Sequence, residues 1–167
     1  HKGLNRLFFL RDFIMTDSEG RPRVKATTSW LVMNLDTRRL VRDPNLLDAD
    51  GVCPENVIET PADKVQMPKD AELELVMTHK VSYSDVDMNG HANNAMYMHW
   101  AMNAVGYEVT SERPVSELTI NFNHEIKPQE DVDLYRVCVE QEDGLHVFID
   151  GRVGEQSAFI AEIVFKA

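Results

Sequence analysis

The alternation of apolar and polar residues is clearest from residue 72 onwards. From Leu73 to Tyr83 the odd-numbered positions are mostly apolar and the positions between them mostly polar, a two-residue period that predicts a β-strand. Residues 93–107 carry apolar side chains on almost every face and contain no proline, which predicts a buried helix. Further strands, the last two joined by a turn at 151–155, are predicted near 116–126, 132–140, 145–153 and 157–165. This order fits an α+β fold in which an antiparallel sheet is wrapped around one central helix.

The first part of the chain shows a similar pattern over a shorter length. Residues 5–15 and 23–35 are rich in aromatic and branched side chains and flank a polar turn at 17–20, which predicts a hairpin. Because this strand–turn–strand order resembles that of 145–165, we expect a tandem repeat whose first copy is incomplete and lacks its opening strand and helix. The proline-rich stretch after the hairpin predicts a linker. The expected domains are the hairpin of a first repeat, the linker and a second repeat, at 1–42, 43–70 and 71–167.

The composition is that of a globular protein with an acidic surface. Hydrophobic residues make up 43% and charged residues 27% of the chain, and no apolar run reaches the roughly 20 residues that span a bilayer. The net charge of −11 argues against a nucleic-acid binder, which needs a basic surface. Residues 1–42 hold nine Lys or Arg against four Asp or Glu, a charge of +5, whereas residues 43–167 hold eight against twenty-four, a charge of −16. This asymmetry fits either ordinary solvated faces or a basic N-terminal surface that receives an acidic partner.

Side chains with catalytic potential are concentrated in one polar turn before the helix, where Asp87, Asn89 and His91 alternate. The pattern Asp-x-Asp-x-Asn-Gly matches the start of an EF-hand loop, but its twelfth position is Met96 rather than Glu and a strand precedes it, which excludes calcium. His91 and His99 have no second cluster of potential ligands nearby, which argues against zinc. We therefore predict no metal and no cofactor.

Helix capping explains only part of this turn. Asn93 and Asn94 are N-cap candidates, because a side-chain oxygen at this position accepts a backbone N–H of the first helical turn. One cap is enough for one helix, so capping does not explain why Asp87, Asn89 and His91 stand within five residues. These three are candidates for acid/base or water-positioning chemistry.

Residues 85–97 resemble a known signature. Their pattern, Asp-x-Asp-x-Asn-Gly-His-x-Asn-Asn-x-x-Tyr, is similar to that of hot-dog thioesterases and most of all to that of the acyl-acyl-carrier-protein (acyl-ACP) thioesterases. Residues 10–13 and 26–39 are similar to the first hot-dog repeat of that family, and residues 118–125 to the strand that carries its catalytic Glu. The resemblance implies a tandem hot-dog fold and hydrolysis of fatty acyl-ACP, which releases free fatty acid and terminates fatty acid synthesis. The alternatives are an acyl-CoA thioesterase of the wider hot-dog group and a non-catalytic module that binds acyl groups.

The resemblance also assigns site residues. On this basis the catalytic set is Asp87, Asn89, His91 and Glu125. The residues assigned to substrate binding are Trp30, Met33, Asn93, Asn94 and Tyr97. Some descriptions of the family place a nucleophilic Cys beside the Glu, but here that position is Ile126. Cys53 and Cys138 are remote from the motif in sequence and favour a reduced, cytoplasmic protein over a disulfide scaffold, so we do not expect a thiol mechanism.

A thioester is activated toward attack, so its hydrolysis needs a positioned water, a base and an oxyanion site. We expect Glu125 to act as the base, in a buried setting that raises its pKa, with Asp87 as a second candidate. Asn89 is expected to hold the water through its amide oxygen, and His91 to orient that amide or to protonate the leaving thiolate. N–H groups of residues 90–92, at the start of the helix, suit the developing oxyanion. Covalent attack by Asn89 is chemically less natural, because an amide is a poor nucleophile.

The position of Glu125 raises a geometric question. In a regular strand at 116–126, His124 lies on one face and Glu125 on the other, together with Asn121. Glu125 then reaches the turn only if its own face forms the site or if a bulge intervenes. His124 is therefore a rival candidate for the base.

The resemblance implies one macromolecular partner, ACP carrying the fatty acyl substrate. Because carrier protein is acidic, we expect it to dock on the basic run that contains Arg38, Arg39 and Arg42. No membrane span is predicted, and a homodimer is left open. The expected location is the cytoplasm of a bacterium, or the plastid stroma if the source is a plant.

Overall fold

The chain folds into two compact units, His1–Asp63 and Lys64–Ala167. A computed structural model describes residues 1–41, 43 and 56–167. The predicted linker at 43–70 spans the boundary between the units, and its residues 44–55 lie outside the described residues. No helix in the described part of the chain is long and apolar enough to cross a membrane.

The first unit is an antiparallel three-stranded sheet in the order β1–β2–β3. Its strands are β1 (Gly3–Asn5), β2 (Phe8–Thr16) and β3 (Pro22–Trp30). The turn between β2 and β3 is closed by Asp17, whose carboxylate accepts the N–H groups of Glu19 at 2.9 Å and Arg21 at 3.0 Å. The hairpin is present as predicted, with its second strand ending at Trp30. Strand β1 is not predicted, because three residues are too few to show a two-residue period.

The second unit contains a five-stranded antiparallel sheet. Its helices lie between the first two strands of this sheet in chain order. In order, its elements are β4 (Glu74–Lys80), a 3₁₀ helix (Tyr83–Asp85), α1 (Asn94–Val105), α2 (Tyr107–Glu112), β5 (Val115–Phe122), β6 (Asp131–Gln141), β7 (Gly144–Val153) and β8 (Gln156–Lys166). The strand order is β4–β6–β7–β8–β5, and every neighbouring pair is antiparallel. The predicted α+β arrangement of antiparallel strands and one long helix is confirmed.

The main core of this unit lies between α1 and one face of the sheet. Alternate residues of a strand point to the same face, so Leu145, Val147 and Ile149 of β7 all belong to this core. Tyr97 and Trp100 of α1 are 2% and 1% exposed. Full burial of a large apolar side chain contributes roughly 1.5–3 kcal/mol. The aromatic side chains of α1 are therefore a major source of stability for the sheet that carries the site.

Helix α1 is buried on one side only. Its buried residues follow a spacing of three and four and are Tyr97, Trp100, Ala101, Ala104 and Val105. Its exposed residues include Asn94, Ala95, His99 and Asn103. The prediction of burial on every face is therefore wrong. It rested on methionine and alanine side chains, which make all faces of the helix apolar in composition although the sheet covers only one of them.

The opposite face of the sheet carries a second, smaller cluster. Val65, Val137 and Phe148 are buried there. The N–H of Val65 donates to Oδ1 of Asn121 on β5 at 2.6 Å. The segment before β4 is thereby fastened across this face, including Val65, which the sequence assigned to the linker.

Packing contacts bear on the predicted turn at 151–155 and on the predicted end of the strand at 116–126. Gly151 lies within β7 and not in the turn that follows it. The ring of Phe159 fills the space beside Gly151, where a Cβ would lie 2.0 Å from Phe159 Cε1, which explains the glycine at this position. Strand β5 ends at residue 122 rather than 126. The N–H groups of Asn123 and His124 both donate to the carbonyl oxygen of Ala158, which turns the chain away from the strand direction.

Two short helices are also not predicted. Gly106, with a φ of +98°, ends α1, and α2 follows it directly. Residues Tyr83–Asp85 form a 3₁₀ helix where the alternation predicted the end of a strand. Ser82 and Asp85 form a capping box around this turn, which explains why the strand stops before it.

Candidate active site

The polar turn begins at a buried carboxylate. Asp85, 2% exposed, accepts hydrogen bonds from the N–H and Oγ of Ser82 at 2.7 and 2.9 Å and contacts Nε2 of His79 at 3.0 Å. Burial by itself would raise the pKa of Asp85, but the hydrogen bonds from Ser82 and His79 outweigh it and hold the pKa below its ordinary value. The carbonyl oxygen of Asp85 accepts the N–H of Asn93 at 2.8 Å, which ties the start of α1 to this anchor. Asp85 is absent from the predicted set, although the Ser-x-x-Asp spacing of residues 82–85 is a capping-box signal that could have located it.

The turn itself is closed by two backbone hydrogen bonds. The N–H of Asp87 donates to the carbonyl oxygen of His91 at 3.0 Å, and the N–H of Gly90 donates to that of Asp87 at 3.1 Å. Gly90 has a φ of +79°, a conformation that glycine adopts without the strain other residues incur. These constraints bring the side chains of residues 87–91 together at one tight turn.

Asp87 is engaged with Asn89. One carboxylate oxygen of Asp87 accepts the Asn89 N–H at 2.8 Å, and the other accepts the Asn89 side-chain N–H at 3.3 Å. Because the amide nitrogen of Asn89 points to Asp87, its amide oxygen points away and can accept a hydrogen bond from another group. These hydrogen bonds hold the side chain of Asn89 against the carboxylate of Asp87.

The side chain of His91, in the polar turn, contacts that of Glu125, in the loop after β5. Nε2 of His91 lies 3.3 Å from Oε2 of Glu125, with the two side chains 28% and 47% exposed. The neighbouring backbone fixes this approach, because the N–H of Ala92 donates to the carbonyl oxygen of Ile126 at 2.8 Å. Because β5 ends at Phe122, Glu125 does not lie in a regular strand. Its side chain is therefore not confined to the strand face opposite to that of His124. The structure thus places the four residues of the predicted set in one turn and the loop beside it, as two contacting pairs, Asp87 with Asn89 and His91 with Glu125.

The predicted oxyanion donors are only partly available. The N–H of Gly90 is bonded within the turn, and that of Ala92 is bonded to Ile126. Among the described residues, the N–H of His91 has no hydrogen-bond acceptor, which leaves it as the donor of this group that can serve an oxyanion. Of the N–H groups of residues 90–92 that were expected to stabilise the oxyanion, only that of His91 remains a candidate.

The residues assigned to substrate binding on α1 have different environments. Oδ1 of Asn93 accepts the N–H of Ala95 at 2.9 Å, so Asn93 is the N-cap of α1. Asn94 is exposed in the first turn of the helix. Tyr97 is buried, and its hydroxyl contacts the backbone of the loop that carries Glu125.

The remaining assigned residues belong to the first unit. Trp30 and Met33 are 45% and 44% exposed, and the indole N–H of Trp30 donates to Oγ1 of Thr28 at 2.7 Å. Arg38 and Arg39 are exposed in the segment that follows β3. Arg42 lies outside the described residues.

The surroundings of the loop bear on a thiol mechanism and on metal binding. Ile126, in the position where a family description places a Cys, is fully buried. Cys138 lies on β6, and burial raises the pKa of its thiol, which disfavours the reactive thiolate. Within the described ranges, no group of three or more His, Cys, Asp or Glu side chains could hold a metal ion.

The antiparallel sheet and the long helix together form a hot-dog unit, and the polar turn between β4 and α1 carries the residues that resemble the thioesterase signature. Residues 68–166 match the family model of the acyl-ACP thioesterase C-terminal domain, and the chain belongs to the acyl-ACP thioesterase family. It is 29% identical over 137 residues to the chloroplastic oleoyl-acyl carrier protein thioesterase 1 of Arabidopsis thaliana, covering 74% of this chain and 37% of that protein. With the chloroplastic oleoyl-acyl carrier protein thioesterase of Coriandrum sativum it shares 28% identity over 175 residues, which cover 93% and 44% of the two chains.

Two solved structures share this fold. The 12:0-ACP thioesterase from Umbellularia californica superimposes with a TM-score of 0.84 at 20% identity, covering 99% of this chain and 63% of that one. An acyl-ACP thioesterase from Bacteroides thetaiotaomicron gives a TM-score of 0.70 at 21% identity, with 99% and 65% coverage. The chain therefore spans less than half the length of the two curated relatives and about two thirds of these solved chains.

Proposed function

We propose that the protein hydrolyses the thioester of fatty acyl-ACP and releases the free fatty acid. The observation that carries this proposal is the contact of His91 with Glu125 at 3.3 Å, beside the turn that orients Asn89. It brings a carboxylate and an imidazole together at an accessible place, and the amide of Asn89 belongs to the same turn as His91. These are the groups that direct hydrolysis uses. The names of the curated relatives, oleoyl-acyl carrier protein thioesterases, support the choice of thioester.

In the proposed reaction, Glu125 takes a proton from a water molecule held by the amide oxygen of Asn89. The water oxygen bonds to the thioester carbonyl carbon, and the N–H of His91 stabilises the oxyanion that forms. The oxyanion then collapses, the carbon–sulfur bond breaks, and the thiolate of the carrier leaves. The thiolate receives the proton from Glu125 or through His91, so that the products are a fatty acid and a free thiol.

Three observations favour Glu125 over its rivals as the base. The carboxylate of Asp87 is already engaged with Asn89 through two hydrogen bonds. The backbone of His124 is held by Ala158 and Tyr97, whereas it is the Glu125 side chain that meets His91. Glu125 is also 47% exposed, so that water and substrate can reach it. Its accessibility departs from the buried setting we expected for a base.

The experiment that tests this function compares matched ACP-bound and CoA-bound acyl thioesters across a series of chain lengths. We expect the ACP thioesters to be hydrolysed with the higher kcat/KM. Equal or better hydrolysis of the CoA thioesters would favour the acyl-CoA alternative, and no hydrolysis of either with retained acyl binding would favour a non-catalytic module.

The preference for ACP is proposed to rest on charge. Residues 1–42 carry +5 in a chain of net charge −11 and include Arg38 and Arg39. Raising the salt concentration should therefore lower kcat/KM on ACP thioesters more than on a small synthetic thioester. Arg39→Glu should weaken the ACP reaction selectively, whereas the matched charge reversal Lys166→Glu in the second unit should not. An equal salt response on both substrates would contradict docking through this run.

A further inference from the structure

A single side-chain hydroxyl contacts the backbone on both sides of Glu125. The N–H of Ile126 donates to Oη of Tyr97 at 3.1 Å, and Oη of Tyr97 donates to the carbonyl oxygen of His124 at 3.4 Å. The two backbone groups flank Glu125 on either side. Because β5 ends before this loop, these contacts replace the strand pairing that would otherwise fix its backbone.

Tyr97 is itself rigidly placed. Its side chain is 2% exposed, and its ring contacts three aromatic rings, with centroid distances of 5.3 Å to Trp100, 5.4 Å to Phe122 and 5.2 Å to Phe159. Burial raises the pKa of Tyr97, so its hydroxyl keeps the proton that it donates to His124. A fixed ring with a protonated hydroxyl is a stable support for a loop.

The other side of the same loop is fastened to the catalytic turn. The carbonyl oxygen of Ile126 accepts the N–H of Ala92, the residue that follows His91. Ile126 therefore joins two anchors: its N–H is held by helix α1 through Tyr97, and its carbonyl oxygen by the turn. The distance between His91 and Glu125 depends on both.

We propose that Tyr97 is a positioning residue, whose hydroxyl holds residues 124–126 so that Glu125 faces His91. This inference rests on the proposed function of Glu125 as the base. It replaces the substrate-contact role that the resemblance assigned to Tyr97, because the hydroxyl is engaged by backbone groups within a buried setting.

The test uses Tyr97→Phe, which removes the hydroxyl and keeps the ring in its aromatic cluster. We expect kcat to fall about tenfold while KM stays within about twofold, since the base is displaced and not the acyl chain. Tyr135→Phe, the same chemical change on β6, is the matched control and should leave both parameters unchanged. Val147→Ala, a fully buried position on β7, controls for a general loss of stability and should keep kcat.

A double-mutant cycle separates positioning from a structural role. If Tyr97 acts through Glu125, Tyr97→Phe should cost no further activity in a Glu125→Gln background. A loss of the same factor in both backgrounds would show that Tyr97 acts independently of Glu125 and would overturn the proposal.

Amide hydrogen exchange provides a readout that does not depend on catalysis. The Ile126 N–H should exchange at least about tenfold faster in Tyr97→Phe than in the wild-type protein, with no such change in Tyr135→Phe. Unchanged exchange at Ile126 would overturn the inference even if the enzyme is active. Faster exchange in a protein that hydrolyses no thioester would instead reject the proposed function and confirm that the hydroxyl holds the loop.

Discussion

Two histidines of the second unit meet glutamates, but in contrasting environments. Nε2 of His91 contacts Glu125 at 3.3 Å, and both side chains are partly exposed. His146 has both ring nitrogens engaged, Nδ1 with Glu162 at 2.9 Å and Nε2 with Asp143 at 3.0 Å, and its side chain is only 10% exposed. An imidazole with both nitrogens held is suited to stabilising a fold, whereas one that meets an accessible carboxylate through one nitrogen is suited to chemistry.

The two pairs are also built in different ways. The contact of His146 with Glu162 follows from the strand register. Phe148 of β7 pairs with Glu162 of β8, and His146, two residues before Phe148, points to the same face of the sheet. The pair of His91 and Glu125 depends on a turn and a loop that meet through one backbone hydrogen bond at Ala92. The contrast indicates that the site lies where the regular sheet has ended.

The largest expected effect separates the two glutamates. Glu125→Gln keeps the size of the side chain but removes the base, so kcat should fall by about 10²- to 10⁴-fold. Glu162→Gln should change kcat by less than about threefold, because its contact with His146 serves stability. Steady-state hydrolysis of one acyl-ACP substrate measures both. If His124→Ala costs more than Glu125→Gln, the base must be reassigned to His124.

A smaller effect is expected for the two aspartates. Asp87→Ala removes both hydrogen bonds that orient Asn89, so kcat should fall by about 10- to 100-fold through misplacement of the water. Asp143→Ala should leave kcat unchanged, because its carboxylate contacts only the histidine of the structural pair among the described residues. Circular dichroism and thermal melting should show both variants folded. Equal losses in both would mean that the contrast between the two regions is wrong.

The difference in construction explains how much of the site could be predicted. Asp87, Asn89 and His91 lie within five residues, so their proximity follows from the local turn, and Gly90 supplies its positive φ. Glu125 could be placed by family resemblance but not by periodicity. Its position depends on the carbonyl oxygen of Ala158, a residue of β8, which accepts two successive N–H groups and ends β5 early. A tertiary contact of this kind leaves no pattern in the local sequence.

The same reasoning applies to the fold. Strands β6, β7 and β8 begin and end within about two residues of their predicted bounds, since ten or more alternating residues give a clear period. Strand β1 and helix α2 have three and six residues, too few for a period to show. The sequence shows that α1 is apolar on almost every face, but it does not show which face the sheet covers. The burial of α1 on one side only was therefore not predicted. The incomplete first repeat stays a prediction.

A third prediction concerns stability rather than turnover. His146→Gln removes the imidazole that joins Asp143 and Glu162, so the melting temperature should fall by about 2–4 °C. The kcat of the folded variant should match that of the wild-type protein. The reciprocal variant, His91→Gln, should lower kcat strongly with a smaller change in melting temperature. Differential scanning calorimetry and steady-state kinetics on both variants provide the measurements.

The smallest expected effect is the pH dependence of this stabilisation. The hydrogen bond to Glu162, helped by Asp143, raises the pKa of His146 above its ordinary value of 6.5, although burial acts in the opposite direction. Because the folded protein then binds the proton more tightly than the unfolded chain, the stabilisation is full below about pH 6.5 and is lost as the pH rises through the elevated folded pKa. The pKa of Asp143 is lowered, first by its hydrogen bond with His146, so its own contribution is lost as the pH falls below the ordinary value of 3.8.

The free energy of unfolding, measured in urea from pH 5 to 9, should therefore differ most between wild type and His146→Gln near pH 5 to 6. The difference should shrink at higher pH, and added salt should reduce it in part, because the side chain of Asp143 is 69% exposed. A difference that stayed constant with pH would mean that the neutral imidazole already provides the stabilisation. If kcat of His146→Gln followed a different pH profile from wild type, the two histidines would be coupled, and the separation between a structural and a catalytic pair would fail.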